Sequence, residues 1–209
     1  MVTLIFVFLA NFVFAAAPQS DSGSGQQWQS LFDGKTLKNW EPTSFGGEGR
    51  VHVENGQLIL ETGSDLTGVT WAGGEIHRMD YEISVESMKL DGNDFFCGLT
   101  FPVGDSYCSL IVGGWAGSVV GISSIDALDA SENETTRMKN FPKGRWYRIR
   151  VRVTQPKIEA WIDDEKMVDV VTTGHRLSVR AEVEPSKPLG IATWRTKAAL
   201  RDIKVRRLK

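Results

Sequence analysis

Hydrophobic and polar residues alternate along most of the chain in short runs. The run at 81–90, "YEISVESMKL", places Tyr81, Ile83 and Val85 on one face of an extended strand. Its other face carries Glu82, Ser84 and Glu86, which we expect to be solvated. The run at 145–154 alternates as clearly, with aliphatic residues between arginines. No segment with helical periodicity is longer than a turn or two, so the pattern predicts an all-β protein.

Turn-forming residues divide these runs into hairpins. Residues 50–62 predict a hairpin that turns at Asn55-Gly56, and 157–171 predict one that turns at Asp163-Asp164. Together with the final runs near 188–196 and 200–208, the pattern gives about a dozen strands. That number predicts two stacked antiparallel sheets, a concanavalin-like or jelly-roll β-sandwich. The less regular residues 121–141 predict a long loop with one helical turn.

The central hairpin, "DFFCGLTFPVGDSYCSLIVGGW" at 94–115, is apolar on almost every position. A turn near 103–104 would place Cys97 opposite Leu110 and give the hairpin two different faces. We expect one face to be core, with these residues: Phe95, Cys97, Leu99, Phe101, Ser106, Cys108, Leu110 and Val112. The other face mixes rings with small residues: Phe96, Gly98, Thr100, Tyr107, Ser109, Ile111, Gly113 and Trp115. This second face is either a sugar-binding surface or a second buried layer under the 121–141 loop.

The two cysteines leave the redox state open. In the expected register Cys97 and Cys108 are diagonal neighbours, roughly 7–8 Å apart, which is too far for a disulfide. A turn tightened by one step would place them directly opposite. Two cysteines and three histidines make a zinc site unlikely to form.

The N-terminus differs in composition from the rest of the chain. Residues 1–17, "MVTLIFVFLANFVFAAA", are nearly all apolar and end in three alanines, as in a secretory signal peptide. A short membrane anchor is the alternative, although this length is marginal for a span. Residues 18–27 predict a flexible linker, and 28–209 a single folded domain. We therefore expect a periplasmic or extracellular protein with no transmembrane segment after signal removal.

Charge does not indicate a nucleic-acid partner. The chain has 209 residues and a formal net charge of −2. Nucleic-acid binding depends on a basic surface, so this balance argues against it. Carbohydrate is the partner that the mixed aromatic face favours.

Candidate catalytic residues stand at two places. Glu75 and His77, two residues apart in "AGGEIHR", would share a strand face, where a carboxylate beside an imidazole can serve as base and polariser. An exposed polar strand is the alternative. Asp94 begins the central hairpin, where it serves either as a catalytic carboxylate or as a turn cap.

Candidate ligand-binding residues are aromatic or acidic. Tyr107, Trp115, Trp194 and Arg195 are suited to stacking on and hydrogen bonding to a sugar, although tryptophans in sandwiches also serve as core. The acidic 121–141 loop offers Asp126 and Asp129 as weak candidates for binding a divalent cation, the one candidate cofactor. A solvated acidic loop is the alternative.

Several segments resemble one known family. "LFDGKTLKNWE" at 31–41 resembles the opening motif of the 3-keto-disaccharide hydrolase domain family. The segments "GRWYRIRVRV", "IEAWIDDEKMVDV" and "LRDIKVRRL" resemble a subgroup found in planctomycete-type bacteria. The resemblance spans residues 29–208. It implies a concanavalin-like sandwich and cleavage of glycosides whose sugar carries a ketone at C3.

That chemistry sets requirements for the site. A ketone at C3 acidifies the C2–H, so a base can remove this proton while the glycosidic oxygen leaves C1, and water then adds. An electropositive group must stabilise the enolate. We therefore expect an exported hydrolase or lyase acting on 3-keto-glycosides. The alternatives are a non-catalytic carbohydrate-binding module and a cell-surface interaction domain.

Overall fold

The protein is an all-β sandwich, as the alternating pattern predicts. The computed structural model describes residues 27–209. The predicted signal peptide (1–17) and all but the last residue of the predicted linker lie outside the described residues. Within residues 27–209 there are fifteen strands and one helical segment, the 3-10 helix Ala181–Ser186. No helix in this part of the chain is long and apolar enough to cross a membrane.

The strands are short to medium in length and follow one another closely. In chain order they are β1 (Gln29–Ser30), β2 (Trp40–Pro42), β3 (Val51–Glu54), β4 (Gln57–Leu60), β5 (Leu66–Trp71), β6 (Tyr81–Asp91), β7 (Cys97–Val103), β8 (Ser106–Gly114), β9 (Val119–Ser123), β10 (Arg137–Met138), β11 (Trp146–Thr154), β12 (Lys157–Ile162), β13 (Glu165–Val171), β14 (Gly190–Trp194) and β15 (Lys197–Arg207).

These strands form two antiparallel sheets. One has eight strands, in the order β13-β12-β11-β6-β15-β4-β3, with β1 also paired to β15. The other has seven, in the order β10-β9-β8-β7-β14-β5-β2. Both sheets mix early and late strands, so the two ends of the described chain are built into the same layers.

The core lies between the facing sides of the two sheets. Tyr81, Ile83 and Val85 of β6 are buried there, as their alternation predicts, and the apolar residues of β11 lie beside them. From the opposite sheet, Leu99 and Phe101 of β7 meet them in the same cluster. The Tyr81 hydroxyl is fully buried and donates a hydrogen bond to the Pro102 carbonyl at 2.6 Å, which links the two layers.

The predicted turns of two hairpins are confirmed. Asn55 and Gly56 join β3 to β4, with φ of 50° and 78°. The left-handed region suits these two residue types, which is why the pair specifies a tight turn. Asp163 likewise has a φ of 56° between β12 and β13.

The central hairpin is confirmed, but its predicted register is wrong. The turn lies at Gly104-Asp105, so Cys97 pairs with Val112 and Phe101 with Cys108. The cysteines are thus four residues apart along the ladder, roughly 13 Å, and both thiols are free and buried. Burial raises the pKa of Cys97 to about 12 and raises that of Cys108 further. The shift in register is an even number of positions, so the predicted faces from residue 97 onward are kept.

The predicted sides of Phe95 and Phe96 are reversed. Phe96 is fully buried in the main core, with its ring centroid 5.2 Å from that of Phe141. Phe95 instead lies on the outer face of the seven-stranded sheet. Regular pairing begins only at Cys97, so the strict alternation does not extend back to these two residues.

The expected solvated face of β6 is also wrong in part. Glu82 and Ser84 are buried on the outer side of the eight-stranded sheet. Glu82 accepts hydrogen bonds from Arg150 at 2.9 Å and from Arg152 at 2.7 Å, and Arg206 pairs with its other oxygen. The long arginine side chains cover the carboxylate, so an acidic residue is buried on a face that meets solvent.

Candidate functional site

A pocket lined mostly by apolar side chains lies on the outer face of the seven-stranded sheet. It encloses about 190 Å³ and opens partly to solvent. Residues of β5, β8, β9 and β14 form its floor and walls, and the segment 179–186, which contains the 3-10 helix, forms its roof. Its lining residues are Leu66, Asp94, Phe95, Ser109, Ile111, Trp115, Ser123, Arg180, Glu182, Val183 and Trp194.

Small residues make the floor of this face. Gly98, Ser109, Ser123 and Ala192 keep side-chain bulk low where the roof approaches. The Ser109 hydroxyl shares a 2.8 Å hydrogen bond with Thr100. Hydroxyl groups on a floor of this kind can bond to the hydroxyls of a sugar.

The second hairpin face is partly a buried layer, as one of the two interpretations predicts, and a sugar-binding role for the rest of it stays a prediction. Ala130, from the loop that follows β9, packs on Ile111 and buries one side of the face. Val179 and Val183, from the roof segment, pack over Ala192 on the other side. The pocket lies between these two covers. The predicted helical turn within 121–141 is absent from the described structure, where hydrogen-bonded turns take its place.

Three aromatic rings form the apolar wall. The ring centroids of Phe95 and Trp194 are 6.5 Å apart, at an interplanar angle of 37°. The backbone N–H of Trp194 donates a hydrogen bond to the Phe95 carbonyl at 3.1 Å. Trp115 is 39% exposed at the rim. Its φ of 47° is unusual for a bulky residue, and such positions favour functional sites.

Asp94 brings a carboxylate to the rim beside these rings. One of its oxygens accepts the Phe95 N–H at 2.8 Å, and the other accepts the Ala116 N–H at 3.4 Å. Asp94 has no ion-pair partner in residues 27–209. The nearest buried cation is Lys89: burial lowers the pKa of its ammonium, Lys143 adds to that effect, and Asp94 opposes it.

The roof contributes a guanidinium held between two carboxylates. Arg180 Nε donates to Glu182 at 2.5 Å and Nη1 donates to Asp129 at 2.9 Å. The bond to Glu182 is the main cause that raises the pKa of Arg180 above its ordinary value. The 124–136 loop and the roof are therefore tied together at the pocket mouth.

The structure brings three of the predicted residues into one pocket. Asp94, Trp115 and Trp194 all line it. Arg195 lies outside the lining, with its guanidinium 5.5 Å from the centre of the Trp194 ring. Tyr107 also lies outside, where its ring is stacked between Arg78 at 4.7 Å and Lys187 at 5.0 Å.

Glu75 and His77 lie elsewhere. Both are exposed in the loop between β5 and β6, and Arg78 in the same loop bonds to the carbonyl of Gly104. That turn is at the opposite end of β7 from Asp94, roughly 20 Å along the strand. His77 lines a separate groove with Gln27, Gln29, Val205, Arg206 and Arg207. A catalytic role for either residue stays a prediction.

The proposed cation ligands are engaged by other groups. Asp126 bonds to His175 Nδ1 at 2.7 Å and to the Arg176 N–H at 2.8 Å, and Asp129 bonds to Arg180. Within residues 27–209, no three histidine, cysteine or acidic side chains group closely enough to hold a metal ion. The donor set around Asp126 and Asp129 does not fit a cation site as it stands.

Sequence reasoning missed the roof. Arg180, Glu182 and Val183 come from the segment between β13 and β14, which has no periodic pattern. The one available signal was the density of charged residues around Pro185 in "RAEVEPSK". Phe95 was missed because its side of the strand was predicted wrongly.

The double-sheet jelly roll is a fold that lectin domains also use. The sequence profile of 3-keto-alpha-glucoside-1,2-lyase-like domains matches residues 27–206. The chain therefore belongs to this family, and the resemblance noted at 31–41 is confirmed. No curated protein sequence matches the chain.

Solved structures share the fold at low sequence identity. A protein from Parabacteroides distasonis ATCC 8503 assigned as a glycosyl hydrolase has a TM-score of 0.57 at 13% identity, covering 93% of this chain and 99% of its own. The carbohydrate binding module CBM66 from Bacillus subtilis has 0.54 at 11%, covering 80% and 95%. The Crh5 transglycosylase in complex with NAG has 0.61 at 11%, covering 88% and 87%. These likenesses confirm the predicted jelly-roll sandwich.

Proposed function

We propose that this protein is an exported carbohydrate-active enzyme that cleaves 3-keto-glycosides in the pocket of the seven-stranded sheet. The observation that carries the proposal is that Asp94, Trp115 and Trp194 meet in one pocket. A carboxylate beside flat rings suits a sugar that must be both stacked and deprotonated. Membership of the 3-keto-alpha-glucoside-1,2-lyase-like family supports the same chemistry.

Binding of the sugar would rest on the aromatic wall. The C–H faces of a pyranose are apolar, so they gain from contact with Trp115, Trp194 and Phe95. The sugar hydroxyls would bond to Ser109 and Ser123 on the floor. Among the fold neighbours, a carbohydrate-binding module and a transglycosylase that holds a sugar also favour a glycan ligand.

The reaction would begin at C2. Asp94 takes the C2 proton, the C1–oxygen bond breaks, and the electron pair of the C2–H bond forms the C1–C2 double bond of the enolone. The leaving oxygen takes a proton from water or from the Asp94 carboxyl group, and water then adds to C1. Arg180 is the cation of the pocket lining, so it is the group that would stabilise the enolate oxygen. Glu182 accepts a hydrogen bond from Arg180, so its carboxylate is engaged with this cation.

One observation favours a second function, a non-catalytic carbohydrate-binding module. Both Asp94 oxygens already accept backbone N–H groups, from Phe95 and Ala116. In the binding module this carboxylate would fix the rim of the pocket and take no part in chemistry. The aromatic wall would then bind glycans without turnover.

Turnover of a 3-keto-glucoside with a chromogenic leaving group separates these functions. We expect release by the wild-type protein and a loss of about 100-fold or more in Asp94→Asn, since a general base usually contributes about 10²- to 10⁴-fold. Asp164→Asn, on the distant β12–β13 turn, should behave as wild type. Glycan binding without release would favour the binding module, and loss in Glu75→Gln but not in Asp94→Asn would move the site to the β5–β6 loop.

Export is part of the same proposal. It rests on the apolar residues 1–17 and the small residues before Pro18. N-terminal sequencing of the protein secreted by its host should begin at Pro18. An intact Met1 on the mature protein would contradict cleavage.

A further inference from the structure

Arg195 stands next to the sugar-stacking residue Trp194 but outside the pocket lining. Its guanidinium lies 5.5 Å from the centre of the Trp194 ring. We infer that Arg195 is a positioning residue, which with Asp65 forms a clamp that holds the Trp194 ring in its sugar-stacking orientation. This inference rests on the proposed function of the pocket.

The clamp is a dense set of hydrogen bonds on one side of Trp194. Arg195 Nε and Nη2 both donate to Asp65 Oδ1, at 2.9 and 2.6 Å. Nε also donates to the Ser64 carbonyl at 3.0 Å. These three bonds fix the plane of the guanidinium, so its position near the ring is set by residues 64–65, directly before β5, and not by the sugar.

The backbone is tied at the same place. The Arg195 N–H donates to the Asp65 carbonyl at 2.8 Å, and the Trp194 N–H donates to the Phe95 carbonyl at 3.1 Å. Arg195 has a φ of 46°, in the left-handed region that a non-glycine residue occupies only when its surroundings hold it there. The backbone of Trp194 is thus bonded to Phe95 on one side and continues into the clamp residue Arg195 on the other.

The clamp contributes little to the free energy of unfolding. The side chains of Asp65 and Arg195 are 50% and 63% exposed, and ion pairs at such sites contribute little to folding. Its main effect should be on the order of the Trp194 ring. A ring that is already fixed loses less freedom when a sugar binds, and for one side chain this is a factor of about 3 to 10 in affinity.

The clamp predicts a specific pattern of effects when Arg195, Asp65 or both are replaced. If Arg195 contacted the sugar, its removal would weaken binding and the removal of Asp65 would matter much less. If the two act as one clamp, either removal frees the ring, and removing both adds nothing further. Arg195→Lys keeps the positive charge but loses the planar guanidinium, which bonds to Asp65 through two nitrogens. It should therefore weaken sugar binding less than Arg195→Ala, but still weaken it.

The test uses Arg195→Ala, Asp65→Ala, the double variant and Arg195→Lys in the full chain. We expect each single alanine variant to raise KM for the chromogenic 3-keto-glucoside about 3- to 10-fold with kcat within about twofold of wild type, and the double variant to match the singles. Arg148→Ala, whose guanidinium pairs with Asp164 on the other sheet, is the control and should not change KM. An effect in Arg195→Ala alone, additive effects, or no effect in either single variant would each overturn the inference.

A spectroscopic readout keeps this test separate from the proposed function. The emission of Trp194 is obtained by subtracting the spectrum of Trp194→Phe from that of each protein. Without any sugar, its anisotropy should fall equally in Arg195→Ala and Asp65→Ala. If the wild type turns over no substrate but this equal fall is seen, the proposed function fails and the clamp stands. If turnover is normal and the anisotropy is unchanged in both variants, the clamp fails alone.

Discussion

Replacing Glu82 with glutamine tests how the outer face of the eight-stranded sheet is held together. The Glu82 side chain has no exposed surface, and it pairs with Arg150, Arg152 and Arg206. Removing one partner of a buried ion pair costs about 3–5 kcal/mol, since the remaining charge is left uncompensated. The three arginine side chains are 26–35% exposed and can be rehydrated in part, so we expect the low end, about 3 kcal/mol.

The assay is thermal and urea unfolding of Glu82→Gln beside Glu86→Gln. For a domain of this size a loss of about 3 kcal/mol corresponds to a melting temperature roughly 6–12 °C lower. Glu86 lies on the same face of the same strand but is 26% exposed, and within residues 27–209 it pairs with Arg201 alone, so its replacement should cost less than about 1 kcal/mol. Equal losses in the two variants, or a loss below 1 kcal/mol in Glu82→Gln, would refute the reasoning.

Three further predictions concern the pocket, a loop contact and the thiols. A Cβ added at Gly98 would lie 2.9 Å from Phe95 Cε2, so Gly98→Ala should push the ring into the pocket and raise KM for the 3-keto-glucoside several-fold. Because only the end of a side chain must move, the free energy of unfolding should change by less than about 1 kcal/mol, and an unchanged KM would contradict the placement of Phe95. The hydrogen bond to Asp126 raises the pKa of His175, with Glu134 adding to it, so this contact stabilises the fold fully below about pH 6.5 and loses its effect as the pH rises through the folded-state pKa. His175→Gln should therefore remove the contribution of about one titrating group to the pH dependence of the melting temperature between pH 6 and 8. A pH profile parallel to that of the wild type would contradict this prediction. Cys97 and Cys108 should resist alkylation in the native state and give the same intact mass before and after reduction; a mass lower by two hydrogens before reduction would indicate a disulfide.

The fold was predictable because its determinants are local. Strands with one buried face must alternate, and the residues 81–86 and 147–153 do so. The turns were predictable where residue type demands a left-handed backbone, as at Asn55-Gly56. The turn of the central hairpin lies one residue later than predicted, at Gly104-Asp105, because several neighbouring positions in 102–105 carry turn-forming residues.

The candidate site was predictable only in its strand-borne part. Trp115 and Trp194 stand out by residue type at strand ends, and Asp94 by its place at the start of a hairpin. Arg180 and Glu182 come from an aperiodic segment, whose position depends on contacts with residues far away in sequence, such as Asp129. Arg195 was assigned to the sugar because its type suits that role, and only the geometry reveals Asp65 as its partner.

The fate of the C2 proton tests the central claim most directly. The protein is incubated with a 3-keto-glucoside in D₂O, and the released sugar is followed by NMR. The account predicts that the wild type releases a 3-keto sugar with deuterium at C2, since elimination must remove the C2 proton. Asp94→Asn should not give this deuterated product. Release of a sugar that keeps its original C2–H in every molecule would contradict the account, and would indicate direct hydrolysis at C1.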